Sequence, residues 1–433
     1  MMGVKDKKII LCKILMERVF MNIWILNHYA IKPTGIGINR HYSLAKGLVK
    51  RGHNVTIVAS NFQHGTGRLN IDLEGAKYKE EFFDGIRFIW IDTPSYVGNS
   101  IRRVINMVVF ALRARFNKVL LGKEEKPDVI VGSSPHPFTA LAAERLAACY
   151  GVPFVMEVRD LWPLSLIELG GYSNLHPFIL VLDYLDRELV KKADIVVTTA
   201  PMMKEYYKER FGISDNKFIW VTNGTDLALF KDITKTDKSD GKSNFNIFYS
   251  GALGLANGLD VIFDQLKVIK MKYPQVRLEV VGYGPLKEHL VYRAENESLP
   301  VRFHEPVTKD KLPAILKNAD AFIFYLHPNK IYRYGISLNK LADYHASGRP
   351  IIMIGECANN PVKESGAGVV VSSPSEFSGV LGKLLEMDES ARREMGRRGV
   401  EYAKKNYDWD ILVERYAEVM DRAIFNKRQK KGA

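Results

Sequence analysis

The segment YGISLNKLADYHASGRPII (residues 334–352) decides the fold that we expect for this chain. It reads as a loop, a helix that begins near Asn339, a glycine turn and a buried strand. Ser337, Asn339 and Lys340 fall at the start of that helix, where free backbone N–H groups and the helix dipole favour an anion. Asp343 lies one turn further on. The pattern predicts a diphosphate site, with the Asp343 carboxylate on the hydroxyls of a ribose.

Two glycine-containing loops earlier in the same half of the chain also follow predicted strands and precede predicted helices. They are SGALGLANGLD (residues 250–260) and VGYGP (residues 281–285). Glycine lets a backbone approach a phosphate closely. In a single strand–glycine–helix turn the glycine more often serves only to form the turn than to bind a ligand. The prediction therefore rests on the order and spacing of all three loops. The residues that we expect to bind the donor there are Gly251, Gly254, Asn257, Gly282, Gly284 and Pro285.

Short apolar runs alternate with amphipathic helical stretches on both sides of a polar segment, KDITKTDKSDGKSN (residues 231–244). Strand–helix alternation of this kind predicts parallel sheets covered on both faces. We therefore expect two doubly wound, Rossmann-like α/β lobes that face each other across a cleft. The predicted units are a first lobe (21–230), a linker (231–244), a second lobe (245–406) and a last helix that crosses back to the first lobe before a disordered basic tail (407–433).

Charge and composition restrict the function without choosing it. The formal net charge is +13, which suits phosphate-bearing substrates, anionic membranes or nucleic acid. Zinc-finger spacing and RNA-recognition motifs are not found, so nucleic acid is not an expected partner. The three cysteines are far apart, as in a reduced cytoplasmic setting. Residues 1–20 resemble neither a signal peptide nor a membrane span, and we expect them to be a flexible or non-native leader before a true start at Met21.

The first half of the chain places polar residues after predicted strands. Arg159 and Asp160 follow one buried strand, where the side chains of an open α/β sheet meet ligands. We predict that Asp160 accepts a proton or orients an acceptor, and that Arg159 meets a phosphate or carboxylate. The alternative is that the two form a buried salt bridge. His136 follows another strand and is a weaker candidate, since a lone loop histidine is usually structural.

From residue 21 to about residue 425 the chain resembles the family-four retaining glycosyltransferases of the GT-B fold. The landmarks are PTGIG (33–37), EVRDLWP (157–163), TNGTDLALF (222–230), the three loops above and MGRRGVEYAKKNYDWDILVERY (395–416). Within that family it looks closest to the bacterial O-antigen and capsule branch that includes N-acetylfucosamine transferases. The resemblance implies that Gly35, Gly37 and Arg40 lie near the donor phosphates, and that Glu364 meets the donor sugar.

The chain also departs from the family pattern. The family's two donor-site glutamates, eight positions apart, align with Gly335 and Asp343, and its phosphate-binding arginine and lysine align with Ala252 and Asn257. Lys340 and Arg333 are the best candidates to supply the missing positive charge. The resemblance implies retention of the anomeric configuration, with the leaving diphosphate helping to deprotonate the acceptor. The helix N-termini and Lys340 would stabilise that leaving group, so we expect no metal and no cofactor beyond the nucleotide-sugar co-substrate.

The acceptor that we expect is amphiphilic. SIRRVINMVVFALRARFNKVLL (residues 100–121) is an apolar helical segment with a basic edge, which can lie on an anionic leaflet or pack in the core. We therefore expect a monomer or weak oligomer, peripheral at the inner face of the cytoplasmic membrane, that acts on a lipid-diphosphate-linked saccharide. A nucleotide-sugar epimerase of the same fold and a non-catalytic subunit remain as alternatives.

Overall fold

A computed structural model describes residues 20–231, except 36, 38, 65, 66, 99, 123 and 124, and residues 244–432. Residues 1–19 of the expected leader and residues 232–243 of the expected linker therefore lie outside the described residues. In the part that is described, no helix is long and apolar enough to cross a membrane.

The first lobe is built on one eight-stranded sheet. Its strands are β1 (Asn22–Leu26), β2 (Asn54–Ser60), β3 (Tyr78–Phe83), β4 (Ile86–Ile91), β5 (Val129–Ser133), β6 (Phe154–Val158), β7 (Ile195–Thr198) and β8 (Phe218–Trp220). They lie in the order β3-β4-β2-β1-β5-β6-β7-β8, and every neighbouring pair is parallel except β3–β4. The helices of this lobe are α1 (Arg40–Lys50), α2 (Ile101–Arg115), α3 (Lys118–Leu121), α4 (Pro137–Tyr150), α5 (Leu164–Glu168), α6 (Pro177–Lys192) and α7 (Met203–Phe211).

The second lobe repeats this design on a six-stranded, all-parallel sheet. Its strands are β9 (Phe245–Ser250), β10 (Val276–Val281), β11 (Val301–His304), β12 (Ala321–Tyr325), β13 (Ile351–Ile354) and β14 (Gly368–Val371). Their order is β11-β10-β9-β12-β13-β14. The helices are α8 (Leu259–Lys272), α9 (Lys287–Asn296), α10 (Leu312–Leu316), α11 (Asn339–Ala346), α12 (Pro361–Ser365), α13 (Phe377–Glu386), α14 (Glu389–Asn406) and α15 (Trp409–Gly432).

The predicted fold class is confirmed, because both lobes are parallel α/β sheets with helices on both faces. The apolar runs at β1, β7, β12 and β13 coincide with the observed strands. The sequence pattern missed the antiparallel β3–β4 pair and β11. Five of the six residues of β3 are half-buried and none is buried, so its hydrophobic pattern is weak. The expected single helix over residues 100–121 is two helices, because the Asn117 side chain accepts hydrogen bonds from Val119 and Leu120 and starts α3.

Helix α15 packs its buried side chains into the core of the first lobe, on the same face as α1. The residues that do so are Leu412, Val413, Tyr416, Val419 and Met420. The expectation that the last helix is followed by a disordered basic tail is wrong. The helix continues to Gly432, and Lys430 pairs with the buried Asp194 carboxylate at 2.8 Å. That ion pair gives the basic end of the helix a partner on the first lobe.

Candidate functional site

The glycine loops after β9 and β10 interlock with each other. Leu253 N–H donates to the Tyr283 carbonyl at 2.9 Å. A Cβ on Gly282 would lie 1.9 Å from the Gly251 carbonyl oxygen, and one on Gly284 would lie 2.4 Å from the Leu253 carbonyl oxygen. Gly282 and Gly284 are therefore needed for backbone-to-backbone packing. Loop architecture alone explains their glycine identity, and the donor contact that we expected there stays a prediction.

The loop after β9 keeps an open backbone face. A Cβ on Gly254 would meet nothing within 4 Å. Among the described residues, the N–H groups of Ala252 and Gly254 have no hydrogen-bond acceptor. A short 3-10 turn (Leu255–Asn257) follows and leads into α8. Unpaired N–H groups ahead of a helix are the arrangement that binds phosphate oxygens.

Lys340 reaches this loop from the second residue of α11. Its Nζ donates to Asn257 Oδ1 at 3.1 Å and to Tyr249 Oη at 3.0 Å, and it lies 4.2 Å from the centre of the Tyr249 ring. A Cβ on Gly251 would lie 3.2 Å from the same Nζ. Burial lowers the pKa of Lys340 to about 7. The structure thus brings Gly251, Asn257 and Lys340 together and adds Tyr249, which sequence reasoning missed. We call these four residues the Lys340 cluster.

Ser337 and Asn339 do not converge on the same point as Lys340. Ser337 Oγ lies 3.1 Å from Thr222 Oγ1, and the Ser337 carbonyl accepts from Asn223 Nδ2 at 2.9 Å. Ser337 therefore joins the start of α11 to the end of the first lobe. Asn339 is the first residue of α11 and is half-buried, and its side chain has no hydrogen bond to a described residue.

Asp343 is not presented to a ribose in this structure. The residue is 2% exposed. Its Oδ1 accepts from Thr225 Oγ1 at 2.8 Å, and its Oδ2 contacts the Lys309 ammonium. Both oxygens already bind the protein, so the expected ribose contact is replaced by a link between α11 and the segment after β8. Thr225 and Lys309 are 118 and 34 residues away from Asp343 in sequence, which is why the pattern did not reveal them.

Gly335, at the position of the family's first glutamate, has φ +84° and ψ −178°, a conformation open in practice only to glycine. A Cβ there would lie 3.1 Å from Pro201 Cδ of the first lobe. The neighbouring Arg333 is exposed and pairs with Glu209 at 2.6 Å. Arg333 is thus engaged at the surface between the lobes and not at the Lys340 cluster, contrary to expectation.

The Arg159 and Asp160 side chains stand at the carboxyl end of β6, and the alternative of a salt bridge between them is wrong. Among the described residues, neither side chain has a hydrogen bond or an ion pair. Burial lowers the pKa of Arg159, while Glu157 and Asp160 act against that shift. Desolvation raises the pKa of Asp160, with Arg159 and Arg103 acting in the opposite direction. A cation and a carboxyl group whose side chains make no hydrogen bond or ion pair with a described residue can therefore meet a ligand here.

Arg40 is a buried structural residue and not part of an exposed phosphate loop. Its guanidinium pairs with Glu157 Oε2 at 3.1 Å and donates to the carbonyl oxygens of Val221 (2.8 Å) and Thr222. The other Glu157 oxygen lies 2.7 Å from His41 Nε2. Burial alone would raise the pKa of Glu157, but Arg40 and His41 hold it well below its usual range. This buried network fixes the start of α1 directly behind the glycine loop.

The glycine loop itself reaches the opposite lobe. A Cβ on Gly37 would lie 3.9 Å from Tyr283 Oη, in the loop after β10. The Gly35 N–H donates to the Lys32 carbonyl at 2.9 Å and forms a tight turn. Tyr283 was not predicted as a site residue, since the sequence pattern pointed only to its glycine neighbours. The lobes thus approach each other at Gly37–Tyr283 and at Gly335–Pro201. Each lobe contributes a glycine loop to the first of these contacts.

The remaining candidates lie apart from the Lys340 cluster. His136 is fully buried and its Nε2 lies 2.7 Å from His28 Nδ1. Burial lowers its pKa to about 3, so it is neutral at pH 7. Glu364 is exposed and accepts a hydrogen bond from Tyr402 of α14 at 3.1 Å. Pro285 is an exposed turn residue ahead of α9. None of the three contacts Lys340.

Comparison with known proteins agrees with this architecture. A glycosyl transferase 4-like domain matches residues 37–224, and a domain of the glycosyl transferases group 1 matches residues 244–387. The chain is 23% identical over 309 residues to the putative colanic acid biosynthesis glycosyl transferase WcaI of Escherichia coli, covering 68% of this chain and 74% of that protein. It is 26% identical over 246 residues to an uncharacterized glycosyltransferase of Methanocaldococcus jannaschii, covering 54% of this chain and 60% of that one.

Solved structures show the same fold. One is described as trehalose-6-phosphate from E. coli bound with UDP-2-fluoro glucose, and it matches with a TM-score of 0.70 at 13% identity over 92% of this chain and 99% of that one. WaaG, a glycosyltransferase involved in lipopolysaccharide biosynthesis, matches with a TM-score of 0.63 at 15% identity over 92% and 99%. The two facing Rossmann-like lobes are those of GT-B proteins. The chain belongs to the glycosyltransferases that combine a 4-like domain with a group 1 domain.

Proposed function

We propose that this glycosyltransferase moves a sugar from a nucleoside-diphosphate donor to a lipid-diphosphate-linked or other saccharide acceptor during synthesis of a cell-surface polysaccharide. The observation that carries the proposal is the Lys340 cluster. The Lys340 ammonium, which the Asn257 side-chain oxygen holds in place, and unpaired N–H groups after β9 meet at the carboxyl edge of the second sheet. That combination suits a diphosphate. The names of WcaI and WaaG support the polysaccharide setting.

Arg159 and Asp160 supply the acceptor side of the proposed reaction. Asp160 would orient the acceptor by accepting a hydrogen bond from one of its hydroxyls that does not react. The departing diphosphate would take the proton of the attacking hydroxyl on the same face of the sugar, giving retention. Lys340 and the backbone N–H groups would stabilise the charge that develops on that group, and we propose that no metal is required.

We also propose that the first lobe binds the cytoplasmic face of an anionic membrane. Helices α2 and α6 pack together through Met107, Trp162 and Leu182. Large apolar side chains are exposed on both helices: Ile101, Ile105 and Leu112 on α2, with Phe116 directly after it, and Leu180, Val181 and Tyr184 on α6. Five basic residues flank the α2 group: Arg102, Arg103, Arg113, Arg115 and Lys118. Apolar side chains beside cations are the pattern of an interfacial surface.

Flotation with vesicles tests the membrane proposal. The wild-type protein should float with phosphatidylglycerol vesicles and sink with phosphatidylcholine vesicles at low salt. Ile101→Ser with Phe116→Ser should reduce flotation, whereas Val268→Ser with Met271→Ser, which removes exposed apolar side chains from α8 of the other lobe, should not. Equal loss in both double variants would exclude α2 as the contact.

Incubation with a panel of uridine- and guanosine-diphosphate sugars tests the activity. N-acetylated amino sugars come first in the panel, given the branch that the sequence resembles. Transfer to a lipid-linked saccharide should occur in the presence of EDTA, and NMR of the product should show the donor's anomeric configuration. Asp160→Asn should lower the rate by at least about tenfold, or about 1.4 kcal/mol in the barrier. Epimerisation of the donor without an acceptor would favour the epimerase alternative, and no donor binding would favour a non-catalytic subunit.

A further inference from the structure

Tyr249, near the end of strand β9, carries a hydroxyl group that joins two parts of the proposed donor site. The hydroxyl accepts a hydrogen bond from the Lys340 ammonium at 3.0 Å and donates one to the Ala252 carbonyl at 2.7 Å. The residue is fully buried in the core of the second lobe. Burial raises the pKa of Tyr249, so the hydroxyl keeps its proton at neutral pH and can accept and donate at the same time.

The ammonium of Lys340 has one donor left for a ligand. A lysine ammonium carries three N–H donors. One is directed to Tyr249 Oη at 3.0 Å and another to Asn257 Oδ1 at 3.1 Å. Lys340 makes no ion pair with a carboxylate of the described residues. A phosphate oxygen can therefore take the third donor and supply a counterion for the ammonium.

The hydrogen bond to Ala252 fixes the peptide unit between Ala252 and Leu253. In a planar trans peptide the C=O and N–H groups point in opposite directions. The Ala252 carbonyl accepts from Tyr249, while the Leu253 N–H donates to the Tyr283 carbonyl at 2.9 Å. That peptide plane is therefore held from both sides. The N–H groups of Ala252 and Gly254, which have no acceptor among the described residues, flank it in sequence and are oriented with it.

Gly251 leaves the space in which the hydroxyl and the ammonium meet. A Cβ on Gly251 would lie 3.2 Å from Tyr249 Oη and 3.2 Å from Lys340 Nζ. Its φ of +152° also lies in the region that favours glycine. The ammonium lies 4.2 Å from the centre of the Tyr249 ring, so the ring supports it from below while the hydroxyl sets its direction. The hydroxyl is thus the part of Tyr249 that orients Lys340 toward the loop.

We propose that Tyr249 is a positioning residue of the donor site, whose hydroxyl holds the Lys340 ammonium and the Ala252 peptide in the arrangement that receives a diphosphate. The inference rests on the proposed function, whose donor site it deepens. Tyr249 acts through Lys340 and through the loop after β9. Because the cation of this chain comes from α11 and not from the β9 loop, the hydroxyl and Asn257 are the groups that tie the cation to that loop.

Calorimetric titration of the full chain with UDP, GDP and inorganic pyrophosphate tests this role. Tyr249→Phe keeps the ring beside the ammonium and removes only the hydroxyl. The affinity for each ligand should fall by the same factor, about tenfold at pH 7, because the loss concerns the diphosphate that the three ligands share. Tyr344→Phe is the matched control, since it removes another buried hydroxyl at the end of β9, which accepts from the Ser250 N–H at 2.8 Å. It should lower the Tm and leave the affinities unchanged.

The pH dependence of UDP binding separates a positioning role from a structural one. A hydroxyl that accepts from the ammonium favours its charged form, so loss of the hydroxyl should lower the pKa of Lys340 from about 7. The affinity of Tyr249→Phe should therefore begin to fall about one pH unit lower than that of the wild type. Tyr249 itself stays protonated over this range, because burial raises its pKa. In Tyr344→Phe the onset should not move.

A double-mutant cycle shows whether the hydroxyl acts through the ammonium. Tyr249→Phe should weaken UDP binding less in the Lys340→Met background than in the wild type. If Tyr249→Phe is too unstable to titrate, a fluorinated tyrosine at this position, which keeps the hydroxyl but makes it a weaker acceptor, should shift the onset in the same direction by a smaller amount. An unchanged onset with that residue would also overturn the inference.

The inference is overturned if Tyr249→Phe binds UDP as the wild type does, if its pH onset is unchanged, or if the two substitutions add without coupling. In each of these cases UDP and GDP still bind the wild-type protein, so the proposed function stands. If neither nucleotide binds the wild-type protein, the proposed function fails as well.

Discussion

The Lys340 ammonium lies 3.1 Å from the side-chain oxygen of Asn257, although the two residues are 83 positions apart in sequence. Asn257 is the position at which the family pattern places a phosphate-binding lysine. The structure thus supplies a cation from helix α11 to the place where the β9 loop lacks one. Judged only by the asparagine at residue 257, where the family has a lysine, the phosphate site would be taken to lack its cation.

Replacement of Lys340 by methionine should weaken UDP and GDP binding by about ten- to hundredfold, because a charged hydrogen bond to phosphate is lost. Thermal-shift titration measures the change. Lys317→Met removes the same charge from an exposed position on the same lobe and should have no such effect. Equal affinities in wild type and Lys340→Met would remove Lys340 from the donor site.

Nucleotide binding should depend on pH through Lys340. Its pKa in the free protein is about 7, so the ammonium loses its proton as the pH rises through neutrality. A bound diphosphate favours the charged form, and binding above that pH must take up a proton. Affinity should therefore fall between about pH 6 and about pH 9, and calorimetry in buffers of different ionisation enthalpy should show proton uptake. In Lys340→Met the uptake should disappear; its persistence would assign the proton to another group.

Restoring the family's first glutamate should not restore a donor contact in this chain. Gly335→Glu places a side chain at φ +84° and against Pro201, so we expect a lower Tm and weaker nucleotide binding. The cost should be about 1–3 kcal/mol from backbone strain alone. Gly379→Ala is the matched control, since its Cβ meets nothing within 4 Å and the residue lies in helix α13, which accepts alanine. A more active Gly335→Glu enzyme would show that the loop adopts another conformation.

The structural role of Asp343 predicts a loss of stability rather than of affinity. Asp343→Asn removes the charge that faces Lys309 and weakens the bond from Thr225, at a cost of about 1–3 kcal/mol in the free energy of unfolding. Urea unfolding measures this cost. A double-mutant cycle with Thr225→Val should show coupling, because the two side chains share one hydrogen bond. A variant of normal stability that no longer binds nucleotide would support the assignment of Asp343 as a ribose-binding residue.

The buried Glu157 carboxylate predicts a specific acid sensitivity. Its pKa in the folded protein is well below the usual value, chiefly because Arg40 outweighs the effect of burial. The stability that it contributes is complete above the unfolded pKa of about 4.3 and is lost as the pH falls from there to the folded pKa. Glu157→Gln should lack this dependence and should be less stable at pH 7 by about 3–5 kcal/mol, since it leaves Arg40 buried without its counterion.

Urea unfolding between about pH 3 and about pH 7 follows the Glu157 effect. Glu80→Gln is a control for the loss of a carboxylate from a less buried ion pair, with Arg87. If wild type and Glu157→Gln lose stability in parallel on acidification, other carboxylates dominate the acid transition.

Local sequence pattern predicts the two-lobed fold and the cation of the proposed donor site. Buried parallel strands are continuous apolar runs, so β1, β7, β12 and β13 could be located from local pattern alone. Lys340 could be named because it lies at a helix start after a glycine turn. These features depend on residues close together in the chain.

Tertiary structure decided which polar residues are free and which are used to hold the protein together. Arg40, Asp343 and Ser337 have the same appearance in sequence as ligand-binding residues. Their partners Glu157, Thr225 and Asn223 are more than 100 positions away, and only folding brings them into hydrogen-bond distance. Arg159 and Asp160 are adjacent in sequence, yet their side chains form no ion pair with each other in the part of the chain that the structure describes. Local spacing cannot encode such pairings, since they are fixed by the register of the sheets and the docking of one lobe on the other.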